Sequence, residues 1–198
     1  MNRNPLYPIF LKLHELNMLI VGAGEVGFEK LSFILKSSPD ANITIVAPWV
    51  NPEITELLQK GNFKVTILKR EFEIKDIEGN DLVIAATNIP SLNIEVRTAA
   101  KAKGKLVNVA DTPALCDFYL GSIVTRGNLK VAISTNGQSP TFAKRFRQVL
   151  EEILPTDTNE LLTNLKLIRD RLKGDFTYKV QKLNELTSDL VESNSKNN

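Results

Sequence analysis

The chain has 198 residues, 42% of them hydrophobic, which is enough for one domain with a small appendage around a real core. Its 25 basic and 23 acidic residues leave a formal net charge of +2, and so balanced a chain argues against the concentrated basic surface that nucleic acid requires. One cysteine, Cys116, and one histidine, His14, exclude an internal disulfide, a Cys-rich zinc site and a His-cluster metal site within one chain, and they fit a reducing, cytoplasmic setting.

The N-terminal stretch NPLYPIFLKLHEL is interrupted by Lys12, His14 and Glu15, so it does not read as a signal peptide. No segment approaches the roughly 18 apolar residues needed to span a bilayer. Met18–Val21 is a short apolar run ending at a glycine, the pattern of a buried strand. From Glu25 to about Lys36, the apolar residues Val26, Leu31, Ile34 and Leu35 recur at helical spacing, and Ser37-Ser38-Pro39-Asp40 breaks the helix. Asn42–Ala47 is a second strand, stopped by Pro48. A helix over about Glu53–Lys60 and a strand over Lys64–Leu68 follow, then a strand at Asp81–Ala85, a helix over Leu92–Lys103 and a strand at Leu106–Val109. Strands alternating with helices predict βαβ units, a parallel sheet and a Rossmann-like α/β fold.

After Asp111-Thr112-Pro113 the pattern changes. Ser122–Thr125 and Leu129–Ser134 read as two strands around Arg126-Gly127-Asn128, a hairpin-like connection. Ser139 and Pro140 have the residue types of a cap and a first helical position, and that helix runs to about Leu154. Pro155-Thr156-Asp157 makes a break. About Asn159 to Leu190 is helical and charge-rich, with Gly174 interrupting it, and ESNSKNN at the end reads as frayed. The chain thus divides into a nucleotide-binding domain (1–112), a small β-hairpin-plus-helix unit (113–154) and a C-terminal helical region (155–198).

The glycines of LIVGAGEVG carry the first chemical signal. Gly22 allows the tight strand-to-helix turn, Gly24 lets backbone approach a pyrophosphate, and Gly27 lets helix and strand pack closely. The helix start offers free N–H groups and partial positive charge to phosphates. An acidic residue about 20 positions on, at the end of the second strand, normally holds the adenine ribose. Here that strand ends Val46-Ala47-Pro48, so the ribose site alone does not distinguish NAD from NADP. Lys30 reads as a solvated face residue rather than a 2′-phosphate ligand.

Ala86, Thr87 and Asn88 end the Asp81–Ala85 strand, where small and polar residues suit a cofactor crevice. They equally suit an ordinary turn with Ser91 capping the next helix. Asn93 lies close enough to reach the crevice. Asn108 and Asp111 stand at the end of the next strand, on the nicotinamide side. A carboxylate there could take or steer the proton that accompanies hydride removal, or simply cap the Asp-Thr-Pro turn. His14 reads as structural, and Cys116 as a small hydrophobe. Ser134, Thr135 and Asn136 open a polar loop before a helix that carries Lys144, Arg145 and Arg147, a set suited to carboxylates or to a plain solvated face.

Several segments, in order, carry a resemblance: PIFLKL (8–13), LIVGAGEVGFEK (19–30), TIVAP (44–48), LVIAATN (82–88) with Asn93 after it, VNVADTP (107–113), SIVTRGNLKVAISTNGQSP (122–140) and AKRFRQVLE (143–151). Together they resemble the precorrin-2 dehydrogenase family, which includes the siroheme synthase N-terminal module. The resemblance implies NAD-dependent oxidation of precorrin-2, a reduced tetrapyrrole with acetate and propionate side chains, to sirohydrochlorin. In many members ferrous iron is then inserted as a substrate. It implies Asp111 as the catalytic carboxylate for both reactions, and NAD contacts at Glu25, Val26, Ala47 and Pro48. It also implies a homodimer built on the middle unit, with Lys144, Arg145 and Arg147 near the polycarboxylate.

Two departures stand out: Gly27 replaces the alanine of many members, a change expected to be harmless, and Thr135 replaces a serine of some members, which argues against serine phosphorylation there. No methyltransferase segment follows, so the resemblance is to the stand-alone form. The rival readings are a chelatase that does not use its nucleotide turn, and a non-catalytic NAD-sensing module.

Overall fold

The computed structural model describes residues 4–188. The expected frayed tail and the last residues of the expected 159–190 helix lie outside them. The described chain forms two units, residues 4–121 with 135–139, and residues 122–134 with 140–188.

The first unit is built on a five-stranded parallel sheet. In chain order its elements are β1 (Asn17–Ala23), α1 (Glu25–Ser37), β2 (Asn42–Val50), α2 (Pro52–Gln59), β3 (Val65–Leu68), β4 (Leu82–Ala85), α3 (Pro90–Ala102) and β5 (Leu106–Val109). The strands lie in the order β3-β2-β1-β4-β5. Side chains alternate across a strand, so β1 feeds two cores at once. Met18 and Ile20 pack with Leu31, Ile34 and Leu35 of α1 and Ile54 of α2. Leu19 and Val21 pack on the other face with Val96 and Ala100 of α3, Val107 and Val109. Helices therefore cover both faces, as a parallel sheet requires.

Three local readings change. β2 does not stop at Pro48. Its paired register with β1 and β3 runs only to Val46, then skips to an Ala23–Val50 pair. Pro48 sits in the gap, where no ladder N–H is needed. Helix α3 begins at Pro90, not Leu92, and Ile89 occupies its cap position without a side-chain bond, so Ser91 is not the cap. Residues 113–121 pack on the sheet rather than with the hairpin. Asp117 accepts the Val107 N–H at 3.0 Å and returns its own N–H to the Val107 carbonyl at 2.8 Å, while Phe118 and Leu120 cover the α1-side core.

In the second unit, β6 (Ser122–Arg126) and β7 (Leu129–Ile133) pair antiparallel around Gly127-Asn128, with Gly127 at φ 55°. Helix α4 (Pro140–Ile153) packs on β6, with Val124 and Ala143 buried. The Arg126 guanidinium donates to the Glu151 carbonyl. Asn159, at the start of α5 (Thr158–Arg171), accepts the Asn128 backbone and side-chain N–H groups at 3.0 Å each. Gly174, at φ 135°, separates α5 from α6 (Phe176–Leu186), and Asp175 caps α6 by accepting the Tyr178 N–H at 2.9 Å.

Candidate functional site

A cleft of about 820 Å³ opens at the carboxyl ends of the parallel strands, where β1 has β2 on one side and β4 on the other. Open α/β sheets bind ligands at such a switch point. The glycine turn forms the cleft's floor. Gly22 has φ +102°, and a Cβ there would lie 2.5 Å from the Ala86 carbonyl oxygen. Only glycine lets β1 turn this close to β4. Gly24 is the reverse case, with nothing within 4 Å of a Cβ position, so the turn presents bare backbone to the cleft. It is also the N-cap of α1 and makes no side-chain cap bond. An uncapped helix start facing an open cleft is an anion site in waiting. This geometry fits a pyrophosphate.

Glu25 and Val26 from α1, and Ala47 and Pro48 from β2, line the cleft beside it. On the β4 side Ala86, Thr87, Asn88, Ile89 and Leu92 line the wall. Thr87 does not reach outward. Its hydroxyl donates to Asn93 Oδ1 at 2.7 Å, its N–H bonds the same oxygen at 3.2 Å, and Asn93 Nδ2 donates to the Thr87 carbonyl at 3.0 Å. Asn93 is buried and lies outside the cleft lining, so it holds the wall rather than touching a ligand. Beyond β5, Asp111 closes the far end of the cleft. It is exposed and sits at φ 57°, a left-handed conformation that Asp tolerates better than most residues. Its carboxylate has no hydrogen-bond or ion-pair partner among the described residues.

Residues 9–122 match the family model described as "Putative NAD(P)-binding", and residues 126–153 match that of the "Sirohaem biosynthesis protein central" segment. The siroheme synthase of Pseudoalteromonas atlantica (strain T6c / ATCC BAA-1087) is 39% identical over 170 residues, 86% of this chain and 36% of that one. That of Methylococcus capsulatus (strain ATCC 33009 / NCIMB 11132 / Bath) is 39% identical over 166 residues, 84% of this chain and 34% of that one. A solved structure described as "SirC, precorrin-2 dehydrogenase" superposes with a TM-score of 0.70 at 26% identity, covering 91% of this chain and 89% of that one. The chain belongs to the family of siroheme synthase N-terminal modules and precorrin-2 dehydrogenases. It spans about a third of the length of the curated siroheme synthases it matches.

Within this NAD(P)-binding frame, several expected site residues have other work. Asn108 is buried and absent from the cleft lining. Its amide donates to the Phe118 carbonyl at 2.8 Å and points to Cys116 Sγ at 3.4 Å, so it pins residues 116–118 to β5. Gly27 does not touch the cleft. A Cβ there would lie 2.3 Å from the Gly22 carbonyl oxygen, so the glycine lets α1 sit closer to the turn than alanine allows without a shift. Lys30 is half-buried and does not line the cleft. Its side chain is only 20% exposed, with the ammonium held to Glu29 at 2.9 Å, its stem lying along packed surface. Cys116 is a half-buried free thiol. Burial pushes its pKa up, and it exchanges bonds with the Val109 backbone at 3.2 Å. His14 lies at the surface near Glu15 and Asp40.

Thr135 and Asn136 belong to the first unit, and Ser134, Lys144, Arg145 and Arg147 to the second. The Thr135 hydroxyl accepts the Ser139 N–H at 3.1 Å and shapes the loop, while Asn136 sits at φ 53°. Lys144 and Arg145 are exposed. Arg147 is not an open clamp, because Glu151 one turn on takes its guanidinium.

The cleft also contains residues that motif reading missed. Trp49, Glu71, Phe72 and Glu95 line it, from the end of β2, the segment after β3, and α3. Among the described residues no cluster of three His, Cys, Asp or Glu side chains could hold a metal ion, and no helix is long and apolar enough to cross a membrane.

Proposed function

We propose that the chain oxidises precorrin-2 to sirohydrochlorin with NAD, through the cleft between Gly22 and Asp111. The carrying observation is an exposed, unpartnered carboxylate held at φ 57° in the same cleft as the bare glycine turn, on its β5 side. Gly22, Gly24, Glu25 and Val26 would hold the dinucleotide's pyrophosphate region, and Ala47 and Pro48 its adenosine side. The bound dinucleotide supplies the hydride acceptor. Loss of two hydrogens from the substrate releases one as hydride and one as a proton, and Asp111 takes that proton at a carboxylate oxygen. Thr87, locked by Asn93, keeps the β4 wall in place beside it.

The reading extends to ferrous iron insertion into the product, with iron as substrate and Asp111 assisting loss of the pyrrole protons. It also extends to a homodimer through the second unit. Phe142, Phe146, Val149 and Ile153 form an exposed apolar stripe at helical spacing along α4, with the two phenylalanine rings stacked 5.9 Å apart. The exposed Lys144 and Arg145 on the same helix suit the substrate's carboxylates.

The deciding assay mixes protein, precorrin-2 and NAD anaerobically and follows NADH absorbance. Stoichiometric NADH is expected, and none would defeat the reading. Sirohydrochlorin with Fe²⁺ in a separate assay tests chelation.

A further inference from the structure

The second strand ends without the acid that normally holds the adenine ribose. The folded cleft contains one from elsewhere. Strand order puts β2 and β3 on the adenosine side of the glycine turn, with β4, β5 and Asp111 on the other. Glu71, three residues past the end of β3, lines the adenosine side together with Trp49 and Phe72. We propose that Glu71 sets the cofactor preference. It supplies from the end of β3 the carboxylate that β2 lacks, bonds the ribose hydroxyls, and rejects a 2′-phosphate.

Three observations carry this. The lining holds four carboxylates, Glu25, Glu71, Glu95 and Asp111, and no Lys or Arg. A 2′-phosphate would therefore enter an acidic cleft with nothing to neutralise it. The cation next to Glu71 in the chain is already taken. Arg70 donates to both carboxylate oxygens of Asp76, at 2.8 and 2.5 Å, and lies 3.8 Å from Glu73. Lys69, the other neighbouring cation, is exposed and does not line the cleft. Finally, the segment bearing Glu71 is fixed. The Glu73 N–H donates to Asp76 Oδ2 at 2.9 Å, and Arg70 Nη1 also donates to the Glu71 carbonyl at 2.9 Å. One ion pair thus withdraws the base and holds the acid in place.

This inference rests on the dinucleotide reading above, and the test separates the two. Trp49 is the chain's only tryptophan and lines the same end of the cleft, so its emission reports occupancy without any turnover. The intact protein is titrated with NADH and NADPH, followed by Trp49 fluorescence and by calorimetry. Wild type is expected to bind NADH at least about 100-fold more tightly than NADPH, about 2.7 kcal/mol. Glu71→Gln, an isosteric change at an exposed position, should cut that ratio at least about tenfold, chiefly by tightening NADPH. Asp76→Asn, which frees Arg70, should move the ratio the same way. If Glu71→Gln binds both nucleotides with the wild-type ratio, Glu71 is not the determinant and the dinucleotide reading stands. If wild type binds neither nucleotide, the dinucleotide reading fails and the inference falls with it.

Discussion

Replacing Gly22 with alanine tests the geometry on which the site depends. Alanine at φ +102° carries a backbone cost of about 1–3 kcal/mol. Its Cβ would meet the Ala86 carbonyl oxygen at 2.5 Å, the Ala86 carbonyl carbon at 2.7 Å and the Thr87 nitrogen at 2.9 Å. All three are backbone atoms, so no side chain can swing away. Overpacking of this kind adds about 1–3 kcal/mol. The total is about 2–6 kcal/mol, a large part of the 5–15 kcal/mol that typically holds a domain. At about 2–4 °C per kcal/mol for a chain of this size, Tm should fall by at least about 4 °C. Gly24→Ala is the control. Its φ is −78°, and no atom lies within 4 Å of the new Cβ, so Tm should stay within about 2 °C of wild type. Gly24 lines the cleft, and that same methyl would cover its bare backbone, so dinucleotide affinity should drop at least about tenfold. Thermal melts by circular dichroism and nucleotide titration read the two effects separately. A Gly22→Ala protein that melts with wild type, or a Gly24→Ala protein that melts as early as Gly22→Ala, would refute the reasoning.

Other residues give further tests. Asp111→Asn keeps a residue at ease with φ 57° but removes the base, so kcat should fall by about 10²–10⁴-fold with the NAD dissociation constant unchanged; loss of both would show a structural role instead. Asn93→Ala removes the acceptor of the half-buried Thr87 N–H, while the Thr87 hydroxyl keeps the Ile89 carbonyl at 3.1 Å, and should cost about 1 kcal/mol, read as a lower urea midpoint at constant slope. The hydrogen bond from Arg70, outweighing burial, holds the Asp76 carboxyl below its usual value of 3.8. A carboxyl depressed on folding stabilises at pH above 3.8 and loses that contribution as pH falls through the folded value. Acid unfolding of Asp76→Asn should accordingly show a shallower pH dependence, and an identical profile would remove Asp76 from the account. Arg145→Glu should raise the apparent dissociation constant for the tetrapyrrole, and an unchanged value would leave that arginine a plain solvated residue.

Much of the fold was legible because its signals are local. Apolar runs bounded by Gly and Pro mark the strands, Gly174 interrupts the C-terminal helical stretch, and Gly22 and Gly24 mark the turn where β1 meets α1. Two of those local signals misled. Pro48 reads as a strand end, but its missing N–H matters only where a ladder bond is required, and β2 has none there. Ser91 reads as a cap, but Pro90 already supplies a first helical position with no N–H to satisfy.

The sequence by itself determined the α/β class, the glycine turn and the presence of Asp111, because each depends on neighbours a few residues away. Only the tertiary structure decided which polar side chains face the cleft. Asn108 stands beside Val109 at the end of β5, yet strand alternation turns it toward residues 116–118 and away from the ligand side. Asn93 spends its amide on Thr87, and Arg147 spends its charge on Glu151. Glu71 shows the same limit from the other direction. It follows Gly22 by 49 positions and belongs to no motif, and it enters the cleft because parallel pairing lays β3 outside β2 and brings both strand ends to one side of the glycine turn. Spacing along the chain carries the glycine motif, whereas sheet order carries the residues that give the cleft its charge.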